Sequence, residues 1–173
     1  NGTGGIAGAN LKAVEGHGNV LEITTDKQIA FWVGDAGYDD EKSYKISFSF
    51  STNDNGGLYT WVSPWNQNGD MNPDFAGATT LFKASSKGAW LLTSRHDVSD
   101  LDSISEGGQL FAGPYEYYTW YNVEIVLDYG TRLVKVYFLD ADGNLIGTQT
   151  KPMDKYAYAH KFVMSNWNYW IGS

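Results

Sequence analysis

Two stretches of the chain combine tryptophan rings with side-chain amides. The first runs from Trp61 to Asp70 (WVSPWNQNGD) and the second from Ser165 to Trp170 (SNWNYW). A sugar ring has an apolar C–H face and a rim of hydroxyl groups, so a protein site for it needs flat aromatic platforms beside amides, carboxylates or arginine. Both stretches supply this mixture, and they are the first candidates for a binding site.

The loop after Pro64 carries the clearest candidate. Proline lacks a backbone donor and ends strand pairing, so the ring of Trp65 is expected to leave the sheet among amides. A second aromatic cluster (YEYYTW, residues 115–120) could rim a cleft, and Arg95 is a candidate polar anchor for the ligand. The predicted ligand-binding residues are Trp61, Trp65, Asn66, Gln67, Arg95, Tyr115, Tyr117, Trp167, Asn168 and Tyr169.

The alternative for each ring is the hydrophobic core, because tryptophan is highly buried on average. Trp32, Trp90 and Trp120 lie on predicted regular strands and are assigned to the core. The cluster at residues 115–120 fits a cleft rim and the cover of a sheet edge equally well. Both interpretations of that cluster stay open at this point.

The carboxylates argue against an enzyme. A glycosidase needs two carboxyl groups about 5–9.5 Å apart, and the Glu-x-Asp-x-x-Glu strand of jelly-roll glucanases is missing from this sequence. The Gly-x-Ser-x-Gly elbow of serine hydrolases is missing too. No catalytic residue is expected, and a small jelly-roll glycoside hydrolase is the third-ranked function.

Cofactor sites are weakly indicated. The chain has no Cys, which removes disulfides, thiolate catalysis and Cys-ligated zinc. Asp70, Asn72 and Asp74 have the alternate spacing of calcium loops and are the weak calcium candidates. The segment 140–144 (DADGN) resembles half of a calcium loop, but a hairpin turn explains it fully. The expectation is therefore no cofactor, with calcium as a minor alternative.

Charge and length narrow the partners further. The 173 residues suit a single domain, 1–173, of which 1–5 could be a linker remnant. A net charge of −8 with only 12 scattered Lys and Arg argues against nucleic acid and anionic membranes. No apolar run approaches the ~20 residues of a membrane span. The expected partner is a polysaccharide or oligosaccharide, bound by a monomeric module that is covalently attached to other domains.

The elements that must position these residues are strands. Alternation of apolar and polar residues is clearest in Tyr44–Ser51 (YKISFSFS) and continues through a meander from Trp120 to Thr150. Short helical turns are expected near 98–106 and after Pro152. The predicted strands are 20–24, 28–33, 44–51, 57–63, 79–84, 89–94, 120–127, 133–139, 144–150 and 161–166. Ten strands in one domain predict an all-β, two-sheet antiparallel β-sandwich, or jelly roll.

Three segments carry a resemblance to a known fold family: YKISFSFS at 44–51, WYNVEIVLD at 120–128 and VKVY at 134–137. Together they resemble the concanavalin A-like (laminin G-like) jelly roll, a fold shared by many carbohydrate-binding modules of secreted bacterial proteins that degrade glycans. The resemblance implies the sandwich fold and suggests sugar binding. It supplies no site residues, since no particular module family is identified.

These patterns together predict a non-catalytic module that binds a neutral glucan or hemicellulose outside the cell. A charge of −8 would repel an acidic glycan. The alternative is a structural or adhesive sandwich of a surface or scaffold protein that binds a protein partner, because aromatic surfaces also serve such interfaces. Screening against soluble and insoluble polysaccharides separates the two functions.

The position of Trp65 yields the first testable prediction. We expect Trp65→Ala to weaken polysaccharide binding at least tenfold, about 1.4 kcal/mol, and to change stability by less than about 1 kcal/mol. A buried Trp65 would give the opposite pattern, a stability loss of about 3–5 kcal/mol. Affinity gels and denaturant melts of the same variant measure both quantities. A large stability loss with unchanged affinity would remove Trp65 from the site and favour Trp167.

Overall fold

Strands joined by turns make up the part of the chain that the structure describes. In this computed structural model it comprises residues 9–24, 27–32, 42–53, 58–63, 79–85, 88–91, 109–112, 116–153 and 161–166. The strands are β1 (Ala9–Val14), β2 (Gly18–Ile23), β3 (Lys27–Trp32), β4 (Ser43–Phe50), β5 (Leu58–Ser63), β6 (Thr79–Ser85), β7 (Gly88–Leu91), β8 (Gln109–Ala112), β9 (Tyr121–Asp128), β10 (Leu133–Leu139), β11 (Leu145–Pro152) and β12 (Lys161–Asn166). Across the described ranges, no helix is long and apolar enough to span a membrane.

The strands form two main antiparallel sheets and a separate hairpin. One sheet has four strands in the order β11-β10-β9-β4, and the other has six in the order β3-β12-β5-β6-β7-β8. Strands β1 and β2 pair only with each other among the described strands. The chain changes sheet between β3 and β4, β4 and β5, β8 and β9, and β11 and β12. The predicted all-β sandwich of jelly-roll type is therefore confirmed.

Alternation in the sequence sets which face of the four-stranded sheet is buried. In β9, every second residue from Tyr121 to Leu127 is buried and the residues between them are half-buried. Strand β4 repeats the pattern, with Ser and Lys exposed between Tyr44, Ile46 and Phe48. A shift of one residue in either strand would turn the whole apolar set towards water. The pattern therefore fixes the register of the pairing.

Aromatic rings join the two sheets. Phe50 of β4 lies 5.9 Å from Phe82 of β6, and Phe82 lies 5.9 Å from Phe138 of β10, measured between ring centroids. Phe48 packs 6.0 Å from Phe162 of β12. Four of these five rings are buried, and Phe48 packs against the same core. Such pairs contribute about 0.5–1.5 kcal/mol each beyond the apolar area that they bury, so they hold the sheets face to face.

The structure adds two strands that the sequence did not predict. Strand β1 lacks a strong alternating pattern, and it forms because Gly16 and Gly18, both at positive φ, turn the chain back onto β2. Strand β8 has four residues, too few for a periodic signal. Trp120, predicted as a strand residue, precedes β9. Pro152 is the last residue of β11, and the helical turns predicted at 98–106 and after Pro152 fall on residues outside the described ranges.

The connection between β10 and β11 differs from the predicted turn. Its sequence suggested a two-residue Asp142–Gly143 turn with both residues at positive φ. In the structure only Gly143 has a positive φ, of 85°, among the turn residues. Gly143 N donates to the carbonyl of Asp140 at 3.1 Å, and Asp140 N donates to the carbonyl of Asn144 at 3.0 Å. This is a three-residue loop with glycine in the left-handed position.

We expect Gly143→Ala to destabilise the protein by about 1 kcal/mol, because a left-handed conformation opposes a Cβ atom. Steric crowding does not cause this expected loss of stability, since a Cβ added at Gly143 meets no atom within 4 Å. Gly143→Asn is the matched control, because Asn tolerates this conformation better. Chemical denaturation of the three proteins measures the effect, and equal losses for Ala and Asn would contradict the backbone explanation.

Candidate functional site

Most of the predicted site residues lie outside the described part of the chain. They are Trp65, Asn66, Gln67, Arg95, Tyr115, Trp167, Asn168 and Tyr169, together with the calcium candidates Asp70, Asn72 and Asp74. Their roles stay predictions. Trp61 lies in β5 and Tyr117 lies in the described segment 116–153.

The two amide-rich stretches leave the six-stranded sheet at opposite ends. Ser63, at the end of β5, pairs with Lys161 at the start of β12. At the other end of β12, Asn166 pairs with Lys27, the first residue of β3. Strands β5 and β12 therefore end at opposite ends of the six-stranded sheet.

The aromatic cluster before β9 divides between core and solvent. Tyr117 is half-buried and packs against the core, whereas Tyr118 is 69% exposed at a positive φ of 59°. The backbone N–H of Tyr118 donates to the carbonyl of Thr52 at 2.7 Å, which fixes this conformation. The buried Tyr121 hydroxyl accepts the N–H of Glu116 at 3.0 Å. The structure thus gives Tyr117 a packing role, and Tyr118 is the exposed ring that the sequence did not single out.

Trp120 has a partner outside the sandwich core. Its ring stacks on the imidazole of His17, with centroids 4.0 Å apart and planes at 21°. His17 lies in the turn between β1 and β2, where its backbone N–H donates to the carbonyl of Val14. This stack fastens the tip of the hairpin to the segment before β9. Trp120 is therefore half-buried beneath the hairpin rather than a residue of the sheet core.

Register pairs define the two faces of the six-stranded sheet. Ala84 pairs with Ala89, and both are fully buried. In the adjacent row, Tyr59 pairs with Lys83 and Lys83 pairs with Trp90. Because successive residues of a strand alternate between faces, this adjacent row has its register positions on the face opposite to the core.

The same row crosses all six strands. Tyr59 pairs with Ser165 and Ser165 with Gln28, while Trp90 pairs with Gln109 on the other side. We call this set the outer row: Gln28, Ser165, Tyr59, Lys83, Trp90 and Gln109. Neighbouring strands lie ~4.8 Å apart, so the row is about 24 Å wide from β3 to β8. The backbone positions of Tyr59 and Trp90 are about 9.6 Å apart. Two aromatic positions, Tyr59 and Trp90, lie on either side of Lys83, with amide and hydroxyl positions beyond them.

Two further tryptophans hold positions on this outer face. Trp61 follows buried Thr60 and pairs with Val163 in the next row. Trp32 pairs with Lys161, the residue before buried Phe162. Three of the seven tryptophans, at positions 32, 61 and 90, thus share the face opposite to the core.

The register places Trp32 and Trp90 on the face opposite to buried Phe162 and Ala89, and their assignment to the core stays a prediction. A sequence pattern shows which residues share a face, but it does not show which of two partly apolar faces is buried. In β6 and β7, small Ala84 and Ala89 take the buried positions. The large aromatic residue of β7 consequently has its register position on the other face, beside Lys83.

The outer face of the four-stranded sheet has a different character. Lys45 Nζ lies 3.2 Å from Glu124 Oε1, and the ammonium of Lys135 lies 4.6 Å from the ring centre of Tyr137. The Ser49 hydroxyl donates to Asn122 Oδ1. These polar groups are paired with one another in a solvated surface. The face offers a ligand few uncommitted groups.

Several carboxylates of the described residues are engaged in turns and ion pairs. Glu22 pairs with Lys12 at 3.0 Å in the hairpin, and Glu124 pairs with Lys45 in the four-stranded sheet. Asp140 accepts the Asn144 backbone N–H at 2.8 Å on Oδ1 and the Asn144 amide at 2.9 Å on Oδ2. Within the described ranges, no three or more Asp, Glu or His side chains cluster as a metal site would require.

Comparisons with known proteins find similarity in structure only. No protein-family model matches the chain, and no curated protein matches it. Similar solved structures include peanut lectin with a 9mer peptide (11% identity, TM-score 0.47, covering 96% of this chain and 86% of that one). Others are basic winged bean lectin with Tn-antigen (15%, 0.47, 90% and 73%) and Lotus tetragonolobus seed lectin (12%, 0.37, 94% and 72%). At these identities, and with TM-scores below 0.5, the similarities carry no inference about what this chain binds.

The Asp140 contacts predict a specific pH dependence. The hydrogen bonds from Asn144 favour the charged carboxylate and lower the pKa of Asp140 below its ordinary value of 3.8. The stability that this group adds is present above that ordinary value and is lost as the pH falls through the lower folded-state pKa. We expect Asp140→Ala to lower the Tm at neutral pH, and the difference from the wild type to shrink between about pH 5 and pH 2.

The control is Asp142→Ala, which changes an exposed residue of the same turn and leaves the Asp140–Asn144 contacts in place. Thermal unfolding across the pH series compares the three proteins. A Tm difference for Asp140→Ala that stays constant down to pH 2 would show that the carboxylate charge is not responsible.

Proposed function

We propose that the chain is a non-catalytic carbohydrate-binding module, and that a polysaccharide lies across the outer face of its six-stranded sheet. The observation that carries this proposal is the outer row, which sets Tyr59 and Trp90 among amide, hydroxyl and ammonium positions, with Trp32 and Trp61 in neighbouring rows. This is the mixture that the C–H faces and hydroxyl rims of sugars require.

Dimensions favour an extended chain as the ligand. The strand spacing of ~4.8 Å is close to the length of one sugar unit in an extended glycan, so Tyr59 and Trp90, two strands apart, are about two sugar units apart. The full width of the row, about 24 Å, suits a stretch of several units. The proposal therefore expects affinity to rise with oligosaccharide length and then to level off.

The expected affinity is modest. Covering one sugar face with a ring removes about 80–100 Å² of apolar surface, which contributes about 2 kcal/mol. The binding free energy of two such platforms and a few hydrogen bonds, reduced by the entropy lost on association, corresponds to a Kd of about 10 μM to 1 mM. A neutral glycan such as a glucan or hemicellulose is favoured, because the net charge of −8 repels uronic acids.

The described carboxylates support a binding rather than a hydrolytic role. Glu22 and Glu124 lie in different sheets, and each forms an ion pair with a lysine. A hydrolytic pair would have to face one bond from a shared cleft. The module is proposed to act outside the cell and to direct a larger bacterial glycan-degrading protein to its substrate.

The decisive variants are Trp90→Ala and Tyr59→Ala. We expect each to weaken polysaccharide binding about tenfold and to lower stability by less than about 1 kcal/mol, because the proposal requires both rings to face the ligand. The matched control is Tyr137→Ala, which removes a half-buried tyrosine from the outer face of the other sheet. Affinity gels with soluble glucans, xyloglucan, mannan and xylan, followed by calorimetry on the best ligand, measure the affinities.

Three outcomes would contradict the proposal. Retardation on none of these polysaccharides, nor on cellulose or starch, would favour the structural or adhesive alternative. Binding that Tyr137→Ala weakens as much as Trp90→Ala does would place the ligand elsewhere. Release of reducing sugar from the same polysaccharides would identify a hydrolase.

A further inference from the structure

The six-stranded sheet has a charge balance opposite to that of the whole chain. Within their described ranges, its six strands contain the lysines at 27, 83 and 161 and no Asp or Glu. The chain as a whole has 20 acidic and 12 basic residues, with a net charge of −8. The excess of carboxylates therefore lies outside these six strands, and the strands themselves carry only positive charge.

Two of these lysines hold positions on the face opposite to the core. Lys83 precedes buried Ala84 in β6, and Lys161 precedes buried Phe162 in β12. Successive residues of a strand alternate between the two faces of a sheet. Both lysine positions therefore share the outer face with the aromatic positions of the proposed sugar site.

Lys83 holds the position between the two aromatic positions of the outer row. It pairs with Tyr59 of β5 on one side and with Trp90 of β7 on the other. Neighbouring strands lie ~4.8 Å apart, which is close to the length of one sugar unit in an extended glycan. Three consecutive sugar units would therefore meet Tyr59, Lys83 and Trp90 in turn, and the middle unit would lie at the lysine position.

Two lysines outside this sheet have a carboxylate on the adjacent strand. Lys45 Nζ lies 3.2 Å from Glu124 Oε1 in the four-stranded sheet, and Lys12 Nζ lies 3.0 Å from Glu22 Oε1 in the hairpin. The strands adjacent to Lys83 are β5 and β7, and within their described ranges they contain no Asp or Glu. These strands thus supply no such partner, whereas a carboxylate on the ligand could supply one.

The net charge of −8 does not set the potential beside one sugar unit. Exposed charges are screened over a Debye length of about 8 Å at physiological salt. Packed sheets lie about 10 Å apart, and Glu124 has its position on the outer face of the other sheet. The net charge still disfavours a glycan that is acidic in every unit. A neutral main chain with isolated carboxylates satisfies both conditions.

We propose that the glycan bound at the outer row has a neutral main chain with isolated carboxylate groups, and that Lys83 binds one of these carboxylates. The carboxylate belongs to the sugar unit between those on Tyr59 and Trp90. This inference rests on the proposed sugar site and adds the chemistry of its ligand. A charge-assisted hydrogen bond from an ammonium to a carboxylate is stronger than a bond between neutral groups, so the acidic unit selects this position.

Matched oligosaccharides test the preference. Cellohexaose, mannohexaose and xylohexaose are each compared with the same hexasaccharide bearing one carboxylate, at C6 of an internal hexose or as a glucuronic acid side group on the xylose chain. Calorimetry is expected to show that the acid-bearing member of the best-binding pair binds about fivefold tighter or more. At about 1 M salt, where the Debye length is about 3 Å, this advantage should shrink. An advantage that high salt leaves unchanged would contradict the ionic contact.

Lys83→Gln tests the position of the contact. We expect this variant to bind the two members of a pair equally, because glutamine keeps hydrogen-bonding groups but loses the charge. Lys83→Arg should restore the preference. The matched control is Lys45→Gln, which changes the net charge by the same amount on the other sheet and should keep the wild-type preference. Far-UV circular dichroism and denaturant melts verify that each variant is folded.

Lys161→Gln distinguishes the two lysine positions of the outer face. Lys161 lies four residues from Ser165, the outer-row residue of β12, which corresponds to about 13 Å along the strand. A carboxylate at Lys83 is therefore more than a Debye length from Lys161, and the preference should persist in Lys161→Gln. Loss of the preference in Lys161→Gln but not in Lys83→Gln would overturn the assignment to Lys83.

The outcomes separate this inference from the proposed function. Equal binding of neutral and acid-bearing hexasaccharides by the wild type would overturn the inference and leave the sugar site in place. Binding of no hexasaccharide, neutral or acidic, would overturn both. A preference that Lys45→Gln abolishes as fully as Lys83→Gln does would show that total charge, and not the lysine of the outer row, is responsible.

Discussion

The phenyl ring of Phe50 contacts rings from both sheets, with Phe82 at 5.9 Å and Phe138 at 6.3 Å. All three are buried, and Phe82 and Phe138 also contact each other. Close-packed rings tolerate neither sliding nor a change of face, because either would open a cavity or expose apolar surface. This contact between the sheets therefore fixes which face of each strand is inner. The outward positions of the described strands in both sheets follow from that choice.

The consequence is largest for the six-stranded sheet. Thr60, Phe82 and Phe162 fill its inner face, so the residues adjacent to them in β5, β6 and β12 take outer positions. Tryptophans that could serve equally as core residues, such as Trp32 and Trp90, consequently share one face with Trp61. The proposed binding face thus arises from the same constraint that closes the core.

The four-stranded sheet uses its outer face differently. Its charged groups are satisfied in pairs such as Lys45–Glu124, which contribute little at an exposed site but keep the face hydrated. Among the described strands, β4 is the edge of this sheet, and its inner residues Tyr44, Ile46 and Phe48 are half-buried.

The sequence by itself determined the strands with strong alternation, from Tyr44 to Phe50 and from Tyr121 to Leu139, and with them the antiparallel sandwich. It also predicted a turn before Asn144, although not the three-residue loop in which Gly143 alone takes a positive φ. Alternation is a local property, so it can be read from neighbouring residues. Only the tertiary structure decided that Ala84 and Ala89 face inwards, and that positions as distant as Gln28 and Gln109 share one row. Those facts depend on long-range pairing and on packing between the sheets, which no local pattern encodes.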